Sequence, residues 1–157
     1  MAAILETKAS PLQTTIDLFD TFTSRVEENK ELVPTGDPVL YVQTLHSGVK
    51  GRVLSRIVKH IPKPVVLDTV GTDSTNYSKL VKRAKLSAHQ TEELEDLTTL
   101  WHEMRLFFEW DEELLNEWVS SSLNALGGTK PSELLGSGYG RKIIRQVIEE
   151  MKYGDFS

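Results

Sequence analysis

The chain reads as an all-α protein, and three features of its sequence predict this. Apolar residues recur at three- and four-residue intervals along nearly its whole length. Serine, aspartate, glycine and proline punctuate those stretches at positions that start and stop helices. The only strand candidate, Pro64-Val65-Val66-Leu67, is short and led by a proline. With 157 residues, 39% of them hydrophobic, the chain holds enough apolar mass for one globular domain or two small ones.

Ile16, Phe19, Phe22 and Val26 share one helical face, which predicts a helix over about residues 11–30. The run Pro34-Thr35-Gly36-Asp37-Pro38 breaks the chain, and Asp37 is placed to cap a helix whose first turn holds Pro38. Gly48 suits the end of that helix. Val53, Leu54, Ile57, Val58 and Ile61 form the next apolar stripe, stopped by Pro62 and Pro64. A short helix over 65–70 reaches Gly71, and residues 72–75 supply a turn before a helix containing Tyr77, Leu80, Val81 and Ala84. Ser87 and Gln90 have capping-box spacing and open a long helix carrying Leu94, Leu97, Leu100, Trp101, Met104, Phe107 and Phe108. Asp111 caps a helix with Leu114, Leu115, Trp118 and Val119. Residues 126–131 read as a loop, and Pro131 begins a single turn reaching Gly136. A last helix over 139–151 turns Ile143, Ile144, Val147, Ile148 and Met151 inward.

Charge is strongly segregated. The net charge is −5, yet residues 48–91 hold nine bases against Asp68 and Asp73, a local +7 between segments of −4 and −8. A basic middle flanked by acidic surfaces fits a nucleic-acid-facing region. Cysteine is absent, which excludes disulfide scaffolds, cysteine-bound metal centres and thiol nucleophiles. No apolar run approaches the ~20 residues that a membrane helix needs. Met1–Lys8 lacks the basic region and apolar core of a signal peptide, so a cytoplasmic location is expected. The four histidines have no H-x-x-x-H or H-E-x-x-H spacing, and Gly127-Gly128 has no G-x-G-x-x-G or G-K-[ST] context. No metal, cofactor or catalytic group is therefore expected, and the reading is of a non-enzymatic protein. Glu92, Glu93, Glu95 and Asp96 suit a solvated first helical turn, and Trp101, Trp110 and Trp118 suit the core.

Residues 65–85 have the proportions of a helix-turn-helix. Its second helix would carry Ser78, Lys79, Lys82, Arg83 and Lys85. Ser74, Thr75, Asn76 and Tyr77, at its start, are candidates to meet base edges, and Lys79, Lys82 and Arg83 to neutralise phosphates.

The C-terminal third carries a more specific pattern. Trp118, the run Leu126-Gly127-Gly128, Pro131, Leu134-Leu135, a glycine-rich turn, an Ile/Val helix and Tyr153-Gly154 follow at tight spacing. This order resembles the toxin-binding C-terminal domain of the Xre/MbcA/ParS class of antitoxins. Upstream, Leu86-Ser87 followed by Gln90-Thr91 is similar to the hinge that joins an Xre helix-turn-helix to that domain. The resemblance covers about residues 38–157 and departs from the family in the reading helix, where Thr75-Asn76-Tyr77 stands in place of a frequent Arg-Thr-Leu run.

The resemblance implies three parts: an N-terminal helical extension over 1–36, an Xre-like helix-turn-helix domain over 37–86 and a toxin-binding domain over 87–157. It implies the antitoxin of a type II toxin–antitoxin pair. Such a protein blocks a cognate RES-domain toxin that destroys NAD, represses its own operon and acts as a homodimer on operator DNA. Carried onto this chain, the toxin-facing positions are Arg141, Lys142, Arg145, Tyr153, Asp155 and Phe156. The alternative is a dimeric helix-turn-helix transcriptional regulator with no toxin partner, resting on the basic segment alone.

Overall fold

The computed structural model describes residues 17–29 and 36–154. Over them the chain is all-helical: α1 (Leu18–Glu27), α2 (Pro38–Ser47), α3 (Val53–Ile57), α4 (Lys63–Val70), α5 (Tyr77–Val81), α6 (Ala88–Phe107), α7 (Glu112–Val119) and α8 (Gly138–Lys152). Two single 3-10 turns, Asn124–Leu126 and Pro131–Glu133, lie between α7 and α8. The strand candidate at 64–67 is part of α4. The first helix, expected over about 11–30, is shorter: Asp17 and Glu28 are extended and bound α1, and Ile16 on its predicted face lies outside the described residues.

The start signals read at Asp37, Ser87 and Asp111 act as the sequence predicts, and a fourth, Asp17, falls inside the helix expected over 11–30 and caps a shorter one. Asp17 accepts from the Phe19 amide at 2.9 Å, Asp37 from Val39 at 2.9 Å and Asp111 from Leu114 at 3.0 Å. At the head of α6 the capping box is complete: the Gln90 amide donates to Ser87 Oγ, and the Ser87 amide to Gln90 Oε1, both at 3.0 Å. Each such cap satisfies amides that a helix start leaves unpaired.

The axis of the fold is α6, 20 residues and about 30 Å long. Helices α1, α2, α4, α7 and α8 all pack on it. One apolar core runs from Leu18 and Phe22 through Ile57, Val66, Leu94, Trp101 and Met104 to Leu135, Ile144 and Ile148. It passes without a break through all three expected segments. Each fully buried leucine or isoleucine contributes about 1.5–3 kcal/mol, and this is the main stabilising term. Trp101 is wholly buried, while Trp110 and Trp118 are half-buried at its edge.

Two features depart from the pattern. The helix expected to reach Ala84 stops at Val81, because the Gly51 amide donates to the Arg83 carbonyl at 3.0 Å and the Leu86 amide to that of Val49 at 2.8 Å. Long-range backbone pairing overrides a local periodicity that would continue. The turn from α6 to α7 is made by Glu109 and Trp110, both left-handed with φ of 54° and 66°. Neither is glycine, so each costs about 1 kcal/mol or more. The Trp110 amide donates to the Arg105 carbonyl at 2.8 Å, and its ring lies against the Arg105 guanidinium, 4.9 Å away, which holds the turn.

Candidate functional site

Two surfaces were expected to carry function, and their side chains differ in kind. The first surrounds α5. Ser74, Thr75 and Asn76 are exposed in the turn before it. Asp73 accepts from both the Asn76 backbone amide, at 2.9 Å, and its side-chain amide, at 3.1 Å, so that turn is held in one conformation. Tyr77 is half-buried, with Lys63 Nζ 4.4 Å from its ring centroid, and burial pushes its hydroxyl pKa up. Lys79 is exposed on α5, and Lys82 and Arg83 are exposed in the segment beyond it rather than on the helix. All seven expected residues therefore fall in one stretch around α5.

Among the described residues, only one of the nine bases of the middle segment has an acidic partner. Arg56 pairs with Glu27, its Nη2 at 2.6 Å and its Nε at 2.8 Å from the carboxylate oxygens. Lys50, Arg52, Lys59, Lys63, Lys79, Lys82, Arg83 and Lys85 are all exposed. The charge run is thus a solvated, uncompensated face.

The second surface is the C-terminal helix. Ser137 caps it through the Gly140 amide at 3.0 Å. Its apolar side, Ile144, Val147 and Ile148, is buried against the protein's own core. Arg141 corrects an expectation: instead of facing a partner, it is wholly buried. Its Nε lies 2.6 Å from Asp96 Oδ2, its Nη2 2.6 Å from Glu93 Oε1, and its Nη1 donates to the Leu135 carbonyl at 3.0 Å. The reason is helical register, since position 141 falls three residues before Ile144 and seven before Ile148, on the inward stripe. Arg145, one turn later, is half-buried and pairs with Asp96 at 2.9 Å and Glu103 at 3.2 Å. Glu93 and Asp96, expected on a solvated face, serve these arginines.

Of the expected toxin-facing residues, Lys142 is exposed, and Tyr153 is 79% exposed just past the end of α8. Asp155 and Phe156 lie outside the described residues. Tyr139, near the start of the same helix, is 77% exposed and carried no sequence signal beyond its type.

No protein-family model and no curated protein matches the chain. Its functional reading therefore rests on its own residues and on the resemblance in its C-terminal pattern.

Two further polar clusters gave no warning in the sequence. Arg25 donates to Glu95 at 2.8 Å and to Thr98 at 3.3 Å, and Tyr41 donates its hydroxyl to the same glutamate. Burial, and then the hydrogen bond to Glu95, hold the Tyr41 proton above the ordinary tyrosine range. Arg105 donates to the Arg25 and Glu28 carbonyls at 3.0 and 2.9 Å, capping the end of α1, and pairs with Glu112 at 3.0 Å. These contacts tie α1 and α2 to the centre of the fold. Among the described residues no group of three histidines or carboxylates could hold a metal ion, and no helix is long and apolar enough to cross a membrane.

Proposed function

We propose that this protein is the antitoxin of a type II toxin–antitoxin pair. Its C-terminal helix and tail cover the active-site cleft of a cognate RES-domain, NAD-degrading toxin, and its basic middle surface binds operator DNA as a homodimer. The pattern from Leu126 to Leu135 and the helix after it support this reading. One geometric observation carries it: α8 is pinned on its inner side by Arg141, which leaves Lys142 and Tyr153 outward on a fixed base. A cationic and an aromatic anchor held at low conformational cost suit a pocket built for a phosphate- and ribose-bearing cofactor. Because the apolar side of α8 belongs to the core, only its outward side and the tail remain for the toxin.

The test is co-expression with the toxin encoded beside this chain, reading cellular NAD and co-elution of the two proteins. Truncation after Lys152 removes the tail and keeps α8. Together with Lys142→Glu it is expected to abolish NAD protection and co-elution while the melting temperature stays near wild type. Full protection by that variant overturns the proposed mechanism.

The second reading, a dimeric regulator without a toxin, is favoured by the eight uncompensated cations of the middle segment. It predicts salt-dependent operator binding and no partner at the neighbouring reading frame.

A further inference from the structure

Two segments about thirty residues apart are locked together backbone to backbone. The Gly51 amide meets the Arg83 carbonyl, and the Leu86 amide meets the Val49 carbonyl. A Cβ at position 51 would collide with the Leu80 carbonyl and crowd those of Val81 and Arg83, so only glycine permits the approach. This brings Lys50 and Arg52, flanking that glycine, beside Lys82, Arg83 and Lys85. Lys50 and Lys85 line one hollow of about 340 Å³ with Phe19, Thr44, Ser47 and Asp17, whose carboxylate caps α1 and pairs with neither lysine. All five cations are exposed, and among the described residues none has a carboxylate partner.

Five like charges gathered on two short segments repel one another. The chain has 23 acids, yet none lies within salt-bridge distance of any of the five among the described residues. We infer that this locked pair of segments is a clamp for the phosphodiester backbone of duplex DNA, separate from the base-facing edge at Ser74, Thr75 and Asn76. The inference rests on the operator-binding half of the proposed function and adds Lys50, Arg52 and Lys85 to the surface. The two sites sit at opposite ends of α5, a helix of five residues and about 7.5 Å. That length is commensurate with a major groove about 12 Å wide, so a polar edge can enter the groove while the clamp meets its rim. Contacts to phosphate fix register without reading sequence.

Binding of the full chain is measured by fluorescence anisotropy between about 50 and 200 mM salt, on two duplexes of roughly 30 base pairs. One is taken from immediately upstream of this chain's reading frame and the other is unrelated. Lys50→Ala, Arg52→Ala and Lys85→Ala combined is expected to flatten the salt slope by about 2–3 and to weaken both duplexes alike, by about 10- to 100-fold. Thr75→Ala with Asn76→Ala is expected to change the ratio between the duplexes and leave the slope in place. Lys130→Ala, exposed and remote in sequence, serves as the charge control, and thermal melts check that each variant folds. If the wild type binds duplex and the triple variant keeps its slope, the clamp is wrong and operator binding stands. If the wild type binds neither duplex, operator binding fails and the clamp with it. Tighter binding to an RNA hairpin of the same length overturns the assignment to DNA.

Discussion

Between residues 48 and 91, eight of nine basic side chains are exposed and have no acid within salt-bridge distance among the described residues. Between 92 and 157, all three arginines are paired and two of them are buried. Burying a guanidinium is costly unless carboxylates and carbonyls replace its water, and Arg141 and Arg105 each receive several such acceptors. The middle segment has had no such replacement built for it. Arg56 pairs with Glu27, and Arg52 and Lys63 lie over the Phe19 and Tyr77 rings, but most of the segment's charge has no internal counter-charge among the described residues. The C-terminal arginines are neutralised within the chain, and Lys142 and Tyr153 are left outward.

The largest expected effect breaks the paired side of that contrast. Arg141→Leu leaves Glu93 without a partner and Asp96 with Arg145 alone at a crowded helix junction. Both acids keep partial access to water, with 25% and 38% of their side-chain surface exposed, which puts the loss near about 3 kcal/mol, the lower end for a broken buried pair. For a chain of this size that is a fall of roughly 10 °C in melting temperature. Lys82→Ala is expected to stay within about 0.5 kcal/mol. Equal melts for the two variants would remove the distinction between the regions. Adding Glu93→Gln to Arg141→Leu sharpens it: much of the lost stability should return, because the one uncompensated charge is gone while Asp96 keeps Arg145.

A smaller effect is expected where α8 begins. At Gly140 a Cβ would run into the Leu134 carbonyl and crowd Ser137 Oγ. Alanine is ordinarily the better helix former, by about 1 kcal/mol. Here Gly140→Ala should instead destabilise by about 2 kcal/mol, since the turn before α8 must move away from the helix start. Urea unfolding decides the sign, and a stabilised variant would mean that this turn yields freely.

What could be read in the sequence follows the range of the forces involved. The caps at Asp37, Ser87 and Asp111 were legible because a cap is complete within about four residues, whereas the cap at Asp17 was hidden inside an apolar period that runs past it. The all-α class was legible because helical period is local too. The end of α5 was not: Tyr77, Leu80, Val81 and Ala84 keep a helical period, and the competing partner, Gly51, lies some thirty residues away. The inward turn of Arg141 was half legible, since its register with Ile144 and Ile148 stood in the sequence. What the sequence lacked was its acceptors, Glu93 and Asp96, which lie 48 and 45 residues upstream. Arg25 and Arg105 gave no signal at all, because their acceptors include backbone carbonyls that carry no residue type. The exposed positions from Ser74 to Arg83 were legible as charge and polarity, which need no partner to be seen.

The smallest effect at neutral pH becomes the largest in alkali, and it separates Tyr77 of the basic middle from Tyr41, which donates to Glu95 in the C-terminal region. Tyr41 is held by burial and by its hydrogen bond to Glu95, whereas burial alone acts on Tyr77. In both, the folded state keeps the phenolic proton to higher pH than the unfolded chain, where tyrosine titrates near about 10. The stability that each adds is present below that value and is lost as pH rises through the folded value. Tyr41→Phe should cost about 1 kcal/mol or less at pH 7, because Glu95 still accepts from Arg25 and Thr99. Above pH about 10, unfolding of the wild type should grow steeply easier with pH, and Tyr41→Phe should flatten that dependence. Tyr77→Phe should flatten it less, having no carboxylate to repel the phenolate. Matching alkaline profiles for the two variants would mean that Glu95 does not set the Tyr41 proton, and that the polar cluster joining α1, α2 and α6 is weaker than its geometry implies.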